Sequence, residues 1–290
     1  MVYGLVAAGG TLGMLIPPSG SMILYGAVTG ESVGKLFMAG LVPGIILATL
    51  FAITVIILCK KSGKYEKLPS TSWKEKLQAT KGALWIIMLP VIILGGIYSG
   101  IFTATEAAAA SIIYALVVCL VTGTIKWHDL PRIFSTGTRT VALVTMIIIG
   151  AVTLAQLITI MQVAQNLCAM VVGSGIPSWA FIVAILCSFL VLGLFLDTPA
   201  ICLLVIPIIA PILSMMGFSL IWFAVLFTIA MEIADLTPPV GLNLYVIQQM
   251  SGARLMDVIR GVIIFIGVML IVLVIVALIP QLSTWLPGTM

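Results

Sequence analysis

The sequence predicts an all-α, polytopic membrane protein built on repeated, discontinuous helices. Three observations carry that reading. First, 62% of the 290 residues are hydrophobic and only 8% are charged, with a mean hydropathy of +1.32. A soluble domain carries about 25% charged residues. So few charges cannot cover a water-facing surface, which excludes a soluble enzyme, and disorder requires the opposite composition. Second, the apolar runs are long and unbroken, whereas an outer-membrane barrel would show short alternating segments. Third, a Pro-Pro pair sits inside an apolar stretch at two places, Pro17-Pro18 and Pro238-Pro239.

A helix needs about 20 apolar residues to cross a bilayer. Uninterrupted candidates cover roughly 36–58, 83–101, 105–122, 140–160 and 259–280. Three more stretches, 2–29, 178–215 and 219–248, are apolar but interrupted. The N-terminal one has no basic n-region and is broken early by Gly and Pro, so it does not read as a signal peptide. The expected organisation is an incomplete first repeat over 1–58 (broken helix plus span), a basic cytoplasmic loop over 59–82, and connecting spans over 83–177. A second repeat follows over 178–280 (re-entrant hairpin, broken helix, final span), with a periplasmic tail over 281–290.

Charge placement orients these segments. Lys60, Lys61, Lys64, Lys67, Lys74, Lys76 and Lys81 cluster in one loop, which the positive-inside rule assigns to the cytoplasm rather than to a nucleic acid. Alternating crossings from that loop put Lys126, Arg132, Arg139, Arg254 and Arg260 on the same side. Of the 13 basic residues only Lys35 then lies outside, and the C-terminus is periplasmic. The uncharged 161–177 linker reads as an outside loop. Within 178–215 the two arms, 178–195 and 199–215, are short and meet at Leu196-Asp197-Thr198-Pro199. Short arms with a polar tip indicate re-entry, because irregular backbone at membrane depth persists only inside protein or beside a water-filled cavity.

The proline pairs belong to a longer internal match. Leu15-Ile16-Pro17-Pro18-Ser19-Gly20 parallels Leu236-Thr237-Pro238-Pro239-Val240-Gly241, and each is followed by Leu-Tyr. Gly40 and Gly261 lie at the same 221-residue offset as the prolines (17 to 238, 40 to 261). The charge-based topology runs the first copy outward and the second inward. Inverted repeats with broken helices mark secondary transporters, with substrate and ion sites between the repeats at mid-membrane.

The prolines remove N–H donors and clash with the preceding turn. With Gly9, Gly10 and Gly13 they are expected to unwind the first helix and free carbonyl oxygens, which lipid cannot satisfy. A hard cation such as Na⁺ would be held by such carbonyls with the hydroxyls of Thr11 and Ser19. The second copy offers Thr237, Pro238, Pro239 and Asn243. Ionisable groups within spans are functional candidates, here Asp197, Glu232 and Asp235. Asp197 reads equally as an ion ligand or as the cap of the second arm. Glu232 and Asp235 hold the unwound backbone or tune the ion site. Glu106, three residues after Thr103, fits a capping box with a structural role. The cysteines Cys59, Cys119, Cys168, Cys187 and Cys202 are scattered apolar fillers, and His128 has no neighbouring metal ligand. No His lies in a span and no Gly-x-Ser-x-Gly elbow occurs, so an intramembrane hydrolase is not expected.

Four motifs in order, Ala8-Gly9-Gly10-Thr11-Leu12-Gly13-Met14-Leu15-Ile16-Pro17-Pro18-Ser19, Gly100-Ile101-Phe102-Thr103-Ala104-Thr105-Glu106-Ala107-Ala108, Phe195-Leu196-Asp197-Thr198-Pro199-Ala200 and Met231-Glu232-Ile233-Ala234-Asp235-Leu236-Thr237-Pro238-Pro239-Val240-Gly241-Leu242-Asn243, resemble the large (DctM-like) membrane subunit of TRAP transporters. These are the tripartite ATP-independent periplasmic transporters. The resemblance implies an elevator-type, Na⁺-coupled importer of organic acids such as C4-dicarboxylates or sialic acids in the bacterial inner membrane. Its implied partners are a small (DctQ-like) membrane subunit and a periplasmic (DctP-like) binding protein, with no cofactor beyond Na⁺ as coupling ion.

By analogy, Na⁺ sites form where each hairpin tip meets a broken helix. The expected cation-binding set is Gly10, Thr11, Gly13, Pro17, Ser19, Leu196, Asp197, Thr198, Ala234, Thr237 and Pro238. The expected substrate-binding or site-shaping set is Pro18, Glu232, Asp235, Pro239 and Asn243. No transition metal is implied. The family's first hairpin has no counterpart here, because the sequence begins just before the first break. Met1 then reads as a misplaced start or as part of a split gene. Two alternatives stay open: an ion-coupled organic-anion carrier working without a binding protein, and a non-transporting remnant.

Overall fold

The computed structural model describes residues 2–63, 71–173, 177–239 and 241–289. It is helical throughout the described residues. The order is α1 (Val2–Leu15), α2 (Gly20–Thr29), α3 (Val33–Ser62), α4 (Trp73–Tyr98), α5 (Ala104–Val121), α6 (Leu130–Ile160), α7 (Val163–Gly173), α8 (Ser178–Leu192), α9 (Thr198–Met215), α10 (Leu220–Asp235), α11 (Leu242–Ser251), α12 (Leu255–Leu278) and α13 (Gln281–Thr284). Seven helical segments among the described residues are long and apolar enough to cross a membrane, counting α1 and α2 as one; α9, expected as a short re-entrant arm, is one of the seven, whereas α8 is shorter. The chain is a multi-pass helical membrane protein.

It divides into two compact units, one formed by Met1–Leu58 with Ile147–Met290 and the other by Cys59–Met146. In the first, α10 is the central helix. Every residue from Trp222 to Ala234 is buried, and α1, α2, α8, α9, α11, α12 and α13 all pack against it. Phe189 meets Phe227 edge-on with ring centroids 5.2 Å apart, and Tyr25 lies 6.1 Å from the same ring. These aromatics bury large apolar areas in preferred geometries and join the hairpin arm α8 and the half-helix α2 to α10. Helix α1 packs on α12 through a glycine pair. A Cβ on Gly4 would sit 2.0 Å from the Gly261 carbonyl oxygen, so only glycine permits this approach. Gly40, the repeat equivalent of Gly261, likewise abuts the Leu15 carbonyl at 2.4 Å from its would-be Cβ.

The two copies share one element sequence, half-helix, break, half-helix, span: α1–α2–α3 and α10–α11–α12. Both second half-helices have 10 residues and end at a left-handed glycine, Gly30 (φ 78°) and Gly252 (φ 65°). In both, the Pro-Pro bond is cis. Their directions oppose each other. Gly20, at the start of α2, lines a cavity with Asp235 at the end of α10. Tyr25, farther along α2, donates its hydroxyl to the Leu220 carbonyl at the start of α10 (2.9 Å).

The second unit contains an α4–α5 helical hairpin. Glu106 N–H donates to Thr103 Oγ1 (3.3 Å), and Thr103 N–H donates to Glu106 Oε2 (2.8 Å). This is the capping box expected there. Tyr114 donates to the Trp85 carbonyl (2.9 Å) across the hairpin.

The structure departs from expectation in three places. The basic loop is shorter than 59–82: α3 runs to Ser62 and α4 starts at Trp73, so Lys74, Lys76 and Lys81 are helical. Lys64 and Lys67 lie outside the described residues. The 161–177 linker contains a helix, α7, which packs on α9; with the end of α6 it belongs to the repeat-bearing unit. Finally, α1 stays helical through Gly9, Gly10 and Gly13 and breaks only after Leu15.

Candidate functional site

The site is built where the hairpin tip enters between the two broken helices. Arm α8 ends at Gly193, and a short turn leads to Asp197. Its carboxylate accepts the Ala200 N–H (3.2 Å) and caps α9. Pro199 sits in the first turn of α9, where its missing N–H leaves no intrahelical bond unmade. Thr198 is buried, and its hydroxyl donates to Asp235 Oδ2 over a long 3.5 Å. A Cβ on Gly193 would lie 2.4 Å from the Ala234 Cβ. Glycine therefore lets the tip close onto the last turn of α10.

In the first break, Ser19 accepts the Met22 N–H (3.3 Å) as N-cap of α2 and donates back to the Met14 carbonyl. Pro17 is buried and Pro18 exposed. In the second break, Thr237 N–H returns to the Ala234 carbonyl (2.9 Å), and its hydroxyl donates to the Ile233 carbonyl (2.6 Å). Tyr245 donates to the Pro239 carbonyl (3.0 Å). Several of the orphaned carbonyls thus find protein donors, as lipid surroundings demand.

A cavity of about 550 Å³ lies at the junction. Asp197, Thr198, Pro199 and Asp235 line one side; Met14, Gly20, Ser21, Ile23 and Leu24 from the first copy line the other. No basic side chain lines it. Apart from the Met14 thioether, its side-chain donors of electron pairs are carboxylate and hydroxyl oxygens, which suit hard cations. The N-termini of α2 and α9 both open onto it and favour negative charge through their free N–H groups.

Of the expected residues, Asp197, Thr198 and Asp235 share this cavity. Leu196, Ala234, Pro17, Pro18 and Ser19 flank it. Thr237, Pro238, Pro239 and the half-buried Asn243 lie in or beyond the second break and do not line it. The expected unwinding at Gly10, Thr11 and Gly13 does not occur. These residues are helical, and Thr11 is buried with its hydroxyl on the Ala8 carbonyl (2.9 Å). Each glycine costs a helix about 1 kcal/mol, less than an exposed backbone pair costs in lipid. Glu232 is wholly buried one turn deeper than Asp235, and neither carboxylate oxygen has a hydrogen-bond partner among the described residues. Ser21, Met14 and Gly193 were not foreseen. The signal for Ser21 was a second hydroxyl within Ser19-Gly20-Ser21; for Gly193 it was a lone glycine four residues before the tip.

Residues 2–282 match the family described as "Tripartite ATP-independent periplasmic transporter, DctM component". The C4-dicarboxylate TRAP transporter large permease protein DctM of Pseudomonas aeruginosa is 38% identical over 98% of this chain and 67% of its own length. The sialic acid TRAP transporter large permease protein SiaM of Vibrio cholerae is 34% identical over 98% of this chain and 66% of its own. The ectoine TRAP transporter large permease protein TeaC of Halomonas elongata is 33% identical over 95% of this chain and 64% of its own. The chain thus spans about two thirds of the length of these relatives. With the family matched over residues 2–282 of the 290, the chain belongs to the DctM component family of tripartite ATP-independent periplasmic transporters.

Proposed function

We propose that this chain forms the ion- and substrate-binding part of a Na⁺-coupled importer of an organic acid, of the C4-dicarboxylate or sialic-acid type named for its relatives. One observation carries the reading: the hairpin tip, both broken helices and two carboxylates converge on a single cavity without a basic side chain. An organic anion cannot enter beside Asp197 and Asp235 uncompensated. Na⁺ held by oxygens of Asp197, Thr198 and Asp235 supplies that compensation, and the N–H groups at the α2 and α9 termini complete the anion's surroundings. Coupling follows directly, since cation and anion each raise the other's affinity by the same factor.

The proposed setting is the bacterial inner membrane, with the C-terminus periplasmic. A small membrane subunit and a periplasmic binding protein act as partners. Motion of the repeat-bearing unit carries the site across the membrane in elevator fashion.

The test is Na⁺-dependent stabilisation of the purified chain in detergent. A ligand at 100 times its Kd stabilises the state that binds it by about 2.7 kcal/mol, which raises Tm by several degrees. Replacing K⁺ with Na⁺ at constant ionic strength is expected to produce such a rise, and Asp197→Asn or Asp235→Asn to remove it. Equal Tm in the two salts sinks the ion site.

A further inference from the structure

We propose that the repeat-bearing unit holds a phospholipid acyl chain in a second cavity, of about 570 Å³, at the base of the hairpin. This cavity lies where α8 begins, where α9 turns into α10 at Gly217 (φ 80°), and where α12 gives way to α13. Trp179, Leu186, Phe218, Trp222, Ala277 and Leu278 supply half of its lining residues. Phe218 and Trp222 are stacked with centroids 5.7 Å apart, which fixes one side of the wall.

The wall offers little to a polar ligand. No charged residue lines it. Its hydroxyls and the Trp222 indole are engaged with backbone: Ser219 caps α10 by accepting the Trp222 N–H (3.3 Å), Thr284 donates to the Pro280 carbonyl (3.0 Å), and Trp222 Nε1 donates to the Val276 carbonyl (2.9 Å). The second indole, Trp179, sits at the exposed rim. A small-molecule site normally keeps a few placed polar groups to orient its ligand, and here those of the inner wall are turned to their own backbone. Unfilled, an apolar recess of this kind forfeits the dispersion contacts its walls could make.

The occupant follows from continuity with the bilayer. The rim residues Trp179 and Leu278 are 67% and 76% exposed, and Trp285 beyond them is 67% exposed. They belong to the apolar surface that lipid covers in a multi-pass protein, and tryptophans of this kind collect where the chains meet the headgroup region. A chain from that lipid enters without desolvating any polar group. Once inside it bridges the first turns of α8, the α9–α10 turn and the end of α12, so the hairpin is braced at its base, far along the arms from the Asp197 tip. This site requires only the membrane setting and stands apart from the ion-binding proposal.

The experiment uses the full chain extracted in mild detergent. Native mass spectrometry is expected to show a phospholipid that survives a delipidating wash. Ala277→Phe and Val183→Phe, which fill the cavity from two different helices, are expected to cut its occupancy several-fold while helicity by circular dichroism is kept. A second measurement covers variants that fail to fold. In a chain whose other tryptophans are Phe, Trp222, only 5% exposed, is quenched by lipids brominated on the acyl chain and not by lipids brominated on the headgroup. Equal lipid retention by the filled variants, absence of chain-specific quenching, or recovery of a polypeptide in place of the lipid would each overturn the proposal.

Discussion

Glu232 concentrates the tension between stability and function in one residue. It lies in α10, buried throughout from Trp222 to Ala234, and both its carboxylate oxygens lack partners among the described residues. Leaving a buried polar group unsatisfied costs about 1–3 kcal/mol, more for a charged one, whereas an apolar replacement of similar shape is neutral or stabilising. Natural proteins keep such costs where function needs them. Glu232→Leu is therefore expected to raise the thermal stability of the chain by about 1–3 kcal/mol while weakening the Na⁺ response described above. Loss of stability in this variant, read from chemical or thermal unfolding in detergent, would mean that the carboxyl has a structural partner after all. Asp197 illustrates the other outcome. Its capping bond to Ala200 occupies one oxygen and leaves the second free, so the capping and ligating readings of this residue are compatible.

At the scale of elements, the packing of α1 on α12 rests on backbone approach rather than side-chain bulk. In lipid, small residues at helix contacts do the work that apolar side chains do in water. Gly4→Ala would place a methyl 2.0 Å from the Gly261 carbonyl oxygen. The helices must separate, with an expected cost of about 1–3 kcal/mol for overpacking; the measured quantity is the unfolding midpoint, and an unchanged midpoint would show the contact to be loose. Such a contact was not legible in the sequence, because a glycine in an apolar run announces no neighbour. The breaks were legible, since Pro-Pro inside an apolar run has a direct steric consequence. So was the turn between α8 and α9, where Asp197 and Pro199 interrupt an apolar run. Helix α7 was not: residues 161–177 carry no charge, and the segment declares itself only by packing on α9. In the site, Asp197 and Asp235 stood out as acids within spans. Glu232 and Asp235 are three residues apart, about 4.5 Å along a helix, so spacing put them on one face. Only the depth of the hairpin tip separates them, because it reaches the last turn of α10 and no farther.

At the scale of the whole molecule, topology is decided by where the charges cannot go. A Lys or Arg at the centre of a span costs about 2.5–3.5 kcal/mol on the insertion scale, so each basic residue fixes a helix end. Arg254 and Arg260 flank the start of α12, and no charged residue follows Arg260 to the end of the chain. Helix α12 is 24 residues long, enough at 1.5 Å per residue to cross a hydrocarbon core of about 30 Å. Its two ends must then face opposite compartments, with Ser251 on the basic side and the exposed Gly288 on the other. In cells carrying a cysteine-free version of the chain, Gly288→Cys is expected to react with a membrane-impermeant maleimide added from outside. Ser251→Cys is expected to react only after the membrane is permeabilised. The opposite pattern would reverse the orientation of the second repeat and leave the first, opposed to it through α2 and α10, running inward.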